Sequence, residues 1–269
     1  MDQTLRRSAS ELLRWQAAGC RLAASPSPFY ASLLDRFAAD GEEGDPWVAE
    51  LLAATPMTLA SASPLRLLGG VQRCVLSGAV PELESVWPGP SSAGDPAAAY
   101  DRIRALLSDP PELVLDALRR DPQTNEVGRS ASLAAGLGFL AERYGLPIHL
   151  HEVGSSAGLN LRLDGYAYDA GGRRWGDPAS PVRFGPGDFD GAIPFGRAEV
   201  VKRRGCDLHP IDATTTEGAM SLLSYVWPDQ HGRLARLRAA LEVARRHPIS
   251  VDVASADDWV EEHVTPVEG

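Results

Sequence analysis

The stretch Ile148-His149-Leu150-His151-Glu152-Val153-Gly154-Ser155-Ser156-Ala157-Gly158, resuming with Leu159-Asn160-Leu161, constrains this chain more than any other. An apolar run alternates into an acid, breaks at glycine and serine, and then picks up again. That order reads as strand, tight turn, then helix or loop start, the local plan by which α/β folds cradle nucleotide-type ligands. Gly154 supplies dihedrals that are hard for other residues, and Gly158 lets backbone approach a ligand with no side chain in the way. The short residues between them leave N–H groups to point at it. The same residues also spell Gly-x-Ser-x-Gly, the nucleophile elbow of serine hydrolases with Ser156 as nucleophile. A purely structural turn is the third reading.

The surroundings weigh against the hydrolase. Its triad would draw an acid from Asp207 or Asp229 and a base from His247 or His263, in the required order. Yet the first ~145 residues read as helices broken by proline and glycine, with no strand-length β-branched run and no His-Gly-Gly oxyanion loop before Ile148. Helical spacing falls around residues 8–24, 28–39, 46–54, 64–77, 97–107 and 111–120, and 78–96 reads as a loop. A further helix follows Asp121-Pro122-Gln123-Thr124-Asn125, with Leu133, Leu137, Leu140 and Tyr144 on one face and Gly145 and Pro147 as its stop.

Composition shifts after the turn. Residues 165–196 hold eight glycines and four prolines among Tyr166, Tyr168, Trp175, Phe184, Phe189 and Phe195, which predicts short strands and loops. Ala198–Lys202 is a second strand, Thr214–Glu217 opens a helix with a capping box, and a helix through Leu234, Leu237 and Leu241 precedes a third strand, Ile249–Val253. The expectation is a helical region over 1–120 and an α/β region over 121–269, with a β insertion at about 165–196. The three strands should lie parallel, with 148–153 between the other two.

A formal net charge of -10 and a pI near 5.1 argue against a general nucleic-acid or anionic-membrane binder. Lys202-Arg203-Arg204 is the obvious candidate for a local basic patch, and three charges at a strand end make an ordinary solvated edge. Cys20, Cys74 and Cys206 are unpatterned, which fits a reducing cytoplasm, and no signal peptide or membrane-spanning run is seen. His149 and His151 lack a third ligand at metal spacing, so no metal is expected.

Glu152-Val153-Gly154-Ser155-Ser156-Ala157-Gly158 resembles the Glu/Asp-x-Gly-x-Gly-x-Gly end of the first strand in class I methyltransferases that use S-adenosylmethionine, with Ser156 in place of the middle glycine. The resemblance implies a Rossmann-like α/β fold behind a helical N-terminal region. It places Glu152 near the cationic methionine end of that cofactor and Gly154, Ser156, Gly158 and Asn160 around it. Asp207 would take the two ribose hydroxyls, and Asp257, or Asp258 beside it, would lie near the adenine. The segment from Gly158 to Asp207 is longer than the roughly 20 positions of a simple dinucleotide unit, so 165–196 would be an insertion. Gln123–Arg129, Glu152–Asn160, Asp207-Leu208-His209-Pro210 and Trp227-Pro228-Asp229-Gln230 together resemble a bacterial family known as domain of unknown function 2332. Its members continue past Gly269, so the sheet is expected to be shortened at its C-terminus. Asn125, Glu126 and Arg129 at a helix start, His209, and Asp229 are candidate pocket residues. Each has an ordinary alternative: an N-cap, a packed loop histidine, and a cap for the helix that follows. Two functions follow as expectations: S-adenosylmethionine binding with methyl transfer to a small molecule or protein, or a non-catalytic ligand-binding or interaction protein keeping the fold.

Overall fold

The structure is a computed structural model that describes residues 3–45, 47–53, 62–189 and 198–264. The chain divides into two compact units, residues 1–123 with 220–234, and residues 124–219 with 235–269.

The first unit is helical. Its helices are α1 (Gln3–Leu22), α2 (Pro28–Glu43), α3 (Trp47–Leu52), α4 (Ser63–Leu76), α5 (Pro81–Glu84), α6 (Pro96–Leu107) and α7 (Glu112–Arg119). Phe29, Tyr30, Leu33, Leu34 and Phe37 recur at helical spacing along α2 and are buried against Leu13, Leu67, Leu68, Val71 and Ile103. Fully burying each such side chain stabilises by roughly 1.5–3 kcal/mol. Helix α2 starts where Ser27 accepts the N–H of Tyr30 and Pro28 fixes the first turn. In α4, Gly69 and Gly70 are required by closeness. A Cβ on Gly69 would lie 2.4 Å from the Tyr225 ring, and one on Gly70 would lie 2.8 Å from the Val114 Cα of α7. Within 78–96, expected as a loop, residues 81–84 form the single turn α5, opened by Pro81.

Among the described residues the second unit carries α8 (Arg129–Tyr144), six strands and α11 (Ala256–His263), with α9 (Thr216–Ser224) and α10 (His231–Arg246) each shared between the units. Strands β1 (Ile148–Val153), β5 (Val200–Asp207) and β6 (Asp252–Val253) form a parallel sheet in the order β1-β5-β6. The fold is thus mixed α/β with a small parallel sheet. The expectation that 148–153 lies in the middle is overturned: β5 is central, pairing Glu152 with Gly205 on one side and Asp207 with Val253 on the other. Two physical facts explain it. The basic cluster is interior to β5 and not its end, because Arg203 forms a bidentate pair with Asp164 and Arg204 bonds Asp252 at 2.8 Å. Gly205 then lets β5 continue, since a Cβ there would meet Ser155 Oγ at 2.2 Å and the Glu152 carbonyl at 2.7 Å.

Within 165–196, strands β2 (Ala167–Ala170), β3 (Arg173–Gly176) and β4 (Arg183–Phe184) form a separate sheet in the order β3-β2-β4. Gly171 and Gly172, at φ +66° and +93°, close the β2–β3 hairpin as a two-residue turn requires. Tyr168 stacks on Phe184 with centroids 5.0 Å apart and leans on Trp175 at 5.3 Å. Residues 190–196, with Phe195, lie outside the described residues, as do positions 46 and 54 of the expected third helix. Helix α8 ends at a left-handed Gly145 whose N–H bonds the Ala141 carbonyl, as the sequence predicts. Its expected apolar face is another matter: Leu137 is buried with Ala131 and Ala134, while Leu133, Leu140 and Tyr144 are exposed. Ser130, Ala131, Ala134 and Gly138, with Leu137 alone of the expected stripe, make the buried face of α8.

Candidate functional site

Strand β1 delivers Glu152 to the C-terminal end of the parallel sheet, where open α/β sheets place their ligands. The backbone then turns through three left-handed residues at alternate positions, Gly154 (φ +67°), Ser156 (φ +52°) and Gly158 (φ +62°). Nothing lies within 4 Å of a Cβ built on Gly154, so glycine serves there for its dihedral alone. On Gly158 the same Cβ would lie 3.1 Å from Val251 and 3.3 Å from Leu161. The space beside Gly158 is therefore filled by the protein's own side chains and not kept for a ligand.

Four amides of the turn are also committed inward, contrary to the expectation that they point at a ligand. Ser155 N–H donates to the Cys206 carbonyl, and Gly158 N–H to the Ser155 carbonyl. Ser156 N–H donates to Asp207 Oδ2 at 2.8 Å, and Leu159 N–H to Asn125 Oδ1 at 2.8 Å. Asp207 Oδ1 accepts the N–H of His209 at 2.9 Å. Asp207 is thus the brace that ties the end of β5 to the turn after β1, and Asn125 is its counterpart from the segment before α8. Arg162, buried and unnoticed in sequence, donates to the carbonyls of Ala157, Gly158 and His247. An arginine amid the apolar run Leu159–Leu163 was the available signal, since a guanidinium enters a core only with its donors satisfied.

What remains for a ligand is side chain. Burial pushes the Glu152 carboxyl up to about 7, against the opposing effects of its Asn160 hydrogen bond and the nearby Arg129 charge; Asp207 adds to the rise. Asn160 is itself held, its Oδ1 accepting Ser130 Oγ at 2.7 Å, so its amide nitrogen is left to donate to Glu152. Glu152 Oε2 and Ser156 Oγ are both enclosed and, among the described residues, without a hydrogen-bond partner. An unpartnered Ser156 Oγ has no histidine to take its proton, and the triad geometry of a hydrolase is not formed.

The other predicted residues divide. The Arg129 charge acts on the Glu152 carboxyl without an ion pair among the described residues, and Glu126 accepts the N–H of Gly128 at 2.8 Å where α8 begins. His209 is exposed and joins the brace through its backbone alone. Asp257 is exposed in the first turn of α11, a helix capped by Ser255, and no hydrogen bond among the described residues joins it to the turn. Asp229 belongs to the helical unit. It caps a helix other than the expected one, accepting the N–H of Phe29 in the first turn of α2 at 3.2 Å. Among the described residues no group of three or more His, Cys, Asp or Glu is placed to hold a metal ion, and no helix is long and apolar enough to cross a membrane. All three cysteines are buried and free.

A parallel sheet with a strained, braced turn at its C-terminal end, holding a buried acid, defines a mixed α/β protein with a polar site. Residues 10–268 match the model of the uncharacterised proteins conserved in bacteria, DUF2332, and the chain belongs to that family. Comparison with curated proteins and with solved structures returns no match.

Proposed function

We propose that the turn from Glu152 to Asn160, braced by Asp207, binds S-adenosylmethionine on a Rossmann-like sheet, and that the protein transfers its methyl group to a small-molecule or protein acceptor. The observation carrying this reading is Glu152: a carboxyl buried at the C-terminal end of a parallel strand, with one oxygen left unpartnered beside a left-handed turn. A buried carboxylate oxygen without a partner is costly, and a ligand cation there removes the cost. The donor set fits: the cofactor brings an ammonium and a sulfonium, and has no phosphate to demand the amides that the turn has already used. Asp207 keeps acceptor capacity beyond its two amide bonds, since a carboxylate offers about four lone-pair sites, and a ribose diol suits it.

S-adenosylmethionine supplies an activated methyl when bound. The chain's part is to fix the cofactor in line with a nucleophile and exclude water, so proximity does most of the work. Calorimetry of the full chain with S-adenosylmethionine and S-adenosylhomocysteine tests the binding, with saturable heat expected for both. Absence of heat with either at millimolar ligand overturns it. Release of S-adenosylhomocysteine in the presence of acceptor extracts tests the transfer.

A further inference from the structure

The second unit also holds a cleft of about 390 Å³ whose walls include none of the residues Glu152–Asn160. Arg162 and Asp164 reach it from the short 3-10 helix Asn160–Gly165, Asp177 from the chain after β3, and Arg203 from β5. Val243 of α10 and Ile249 beyond it give the cleft an apolar wall. Arg162 is 3% exposed, and the fold uses only part of it. Its Nε donates to the His247 carbonyl at 2.9 Å, and its Nη1 to those of Gly158 at 2.7 Å and Ala157 at 3.3 Å. Its Nη2 donors meet no acceptor among the described residues. Nor is Nη2 one of their sealed polar atoms, so it opens on the cleft and not into the core.

The charge is left over as well. Carbonyls satisfy donors but bring no counter-charge, and among the described residues Arg162 is in no ion pair. Arg203 on the same cleft is matched by its bidentate partner Asp164. Burial depresses the Arg162 pKa and the Arg203 charge adds to that, with Tyr166 and Asp212 acting against them. A buried guanidinium is ordinarily paired with an anion. We propose that this cleft binds a small organic monocarboxylate, which accepts from Arg162 Nη2 and lays its apolar body against Val243 and Ile249. One negative charge balances the one unmatched guanidinium. A second would face Asp177, an exposed carboxylate on the same cleft that is bound only by the N–H of Ala179, at 2.8 Å. The volume falls within the roughly 300–1,000 Å³ of small-molecule sites. This site and the adenosyl site proposed above stand or fall separately.

The test titrates benzoate, hexanoate, benzyl alcohol and inorganic phosphate into the nitrogen-labelled full chain, followed by heteronuclear NMR. Saturable shifts at the amides of Gly165, His247 and Ile249 are expected with either carboxylate at millimolar concentrations. Phosphate and the alcohol should bind at least about tenfold more weakly. Arg162→Lys and Ile249→Asp should each weaken the carboxylate at least about tenfold. In the first, a single nitrogen cannot hold the carbonyls and the ligand together; in the second, like charges meet. Ile249→Asp leaves every Arg162 hydrogen bond in place, so it decides the matter if Arg162→Lys melts early. Asp177→Asn, at an exposed position, keeps an acceptor for Ala179 and should tighten the carboxylate roughly twofold or more. No shift with either carboxylate, or shifts away from these amides, overturns the site. Benzyl alcohol binding as tightly as benzoate overturns the role of Arg162, and phosphate binding as tightly overturns the monocarboxylate. Unchanged affinity in both Ile249→Asp and Asp177→Asn overturns the placement.

Discussion

Two pairs of glycines in this protein serve different ends. In α4, Gly69 and Gly70 sit in regular helix, and the space a side chain would need is occupied by the Tyr225 ring and the backbone of Val114. In the turn after β1, Gly154 faces open space and is there for its left-handed φ alone, while Gly158 needs both the dihedral and the room. The helical unit spends its small residues on contact, drawing helices together over Leu33, Leu34, Phe37, Leu67 and Leu68. The turn spends its small residues on backbone conformation, and encloses an acid and a serine hydroxyl where a core would have apolar atoms. Close apolar packing thereby dominates one region, and backbone conformation around enclosed polar atoms dominates the other.

The largest effect is expected in the helical core. Leu34→Ala should cost about 2–5 kcal/mol by cavity formation, read as a fall in denaturant midpoint. A cost as small as that of a surface change would deny that α2 anchors the unit. Next comes Glu152, whose folded-state carboxyl is raised to about 7. A raised acid binds its proton more tightly in the folded state, so its stabilising contribution is complete below the unfolded value near 4.5 and is lost as pH rises through about 7. The parent should therefore lose on the order of 2 kcal/mol between pH 5 and pH 8 that Glu152→Gln does not lose. Parallel stability curves for the two proteins would rule this out. A cationic ligand needs the carboxylate, so its affinity should climb with pH over the same window. Asp207→Asn places an amide donor against one of two N–H groups, and should destabilise by roughly 1–3 kcal/mol as well as weaken adenosyl binding at least tenfold. Loss of binding with an unchanged melt would return Asp207 to a pure ligand role. The smallest effect is a gain. Ser156→Gly relieves a left-handed serine, worth about 1 kcal/mol, and a lower melting temperature would contradict the strain.

Much of this contrast was legible in the residues. Helical spacing marked α1 to α4, α6, α7 and α8, and the order of alternation, acid and glycine marked β1 and its turn. What sequence could not show was who holds whom. Ser156 N–H and Asp207 are 51 positions apart, and Leu159 N–H and Asn125 are 34 apart, so the consumption of the turn's amides is invisible locally. Strand order failed for an electrostatic reason. Lys202-Arg203-Arg204 looks like a solvated end until Asp164 and Asp252 are seen to neutralise its arginines, which makes β5 long enough to be central. The α8 face failed because the period identifies a stripe and not what packs on it. Asp229 failed because its position before α10 says nothing of α2.

The division of the chain has a consequence in time. The helical unit is made from residues 1–123 and from 220–234, so the ribosome releases most of it first and the remainder only after residues 124–219. At roughly 5–20 residues per second, that interval lasts on the order of 5–20 seconds. Throughout it the N–H of Phe29 waits for Asp229, and Gly69 waits for the ring of Tyr225. The nascent helical unit thus emerges with an unfinished apolar surface. Its closure is paced by translation of the very residues that form the turn after β1.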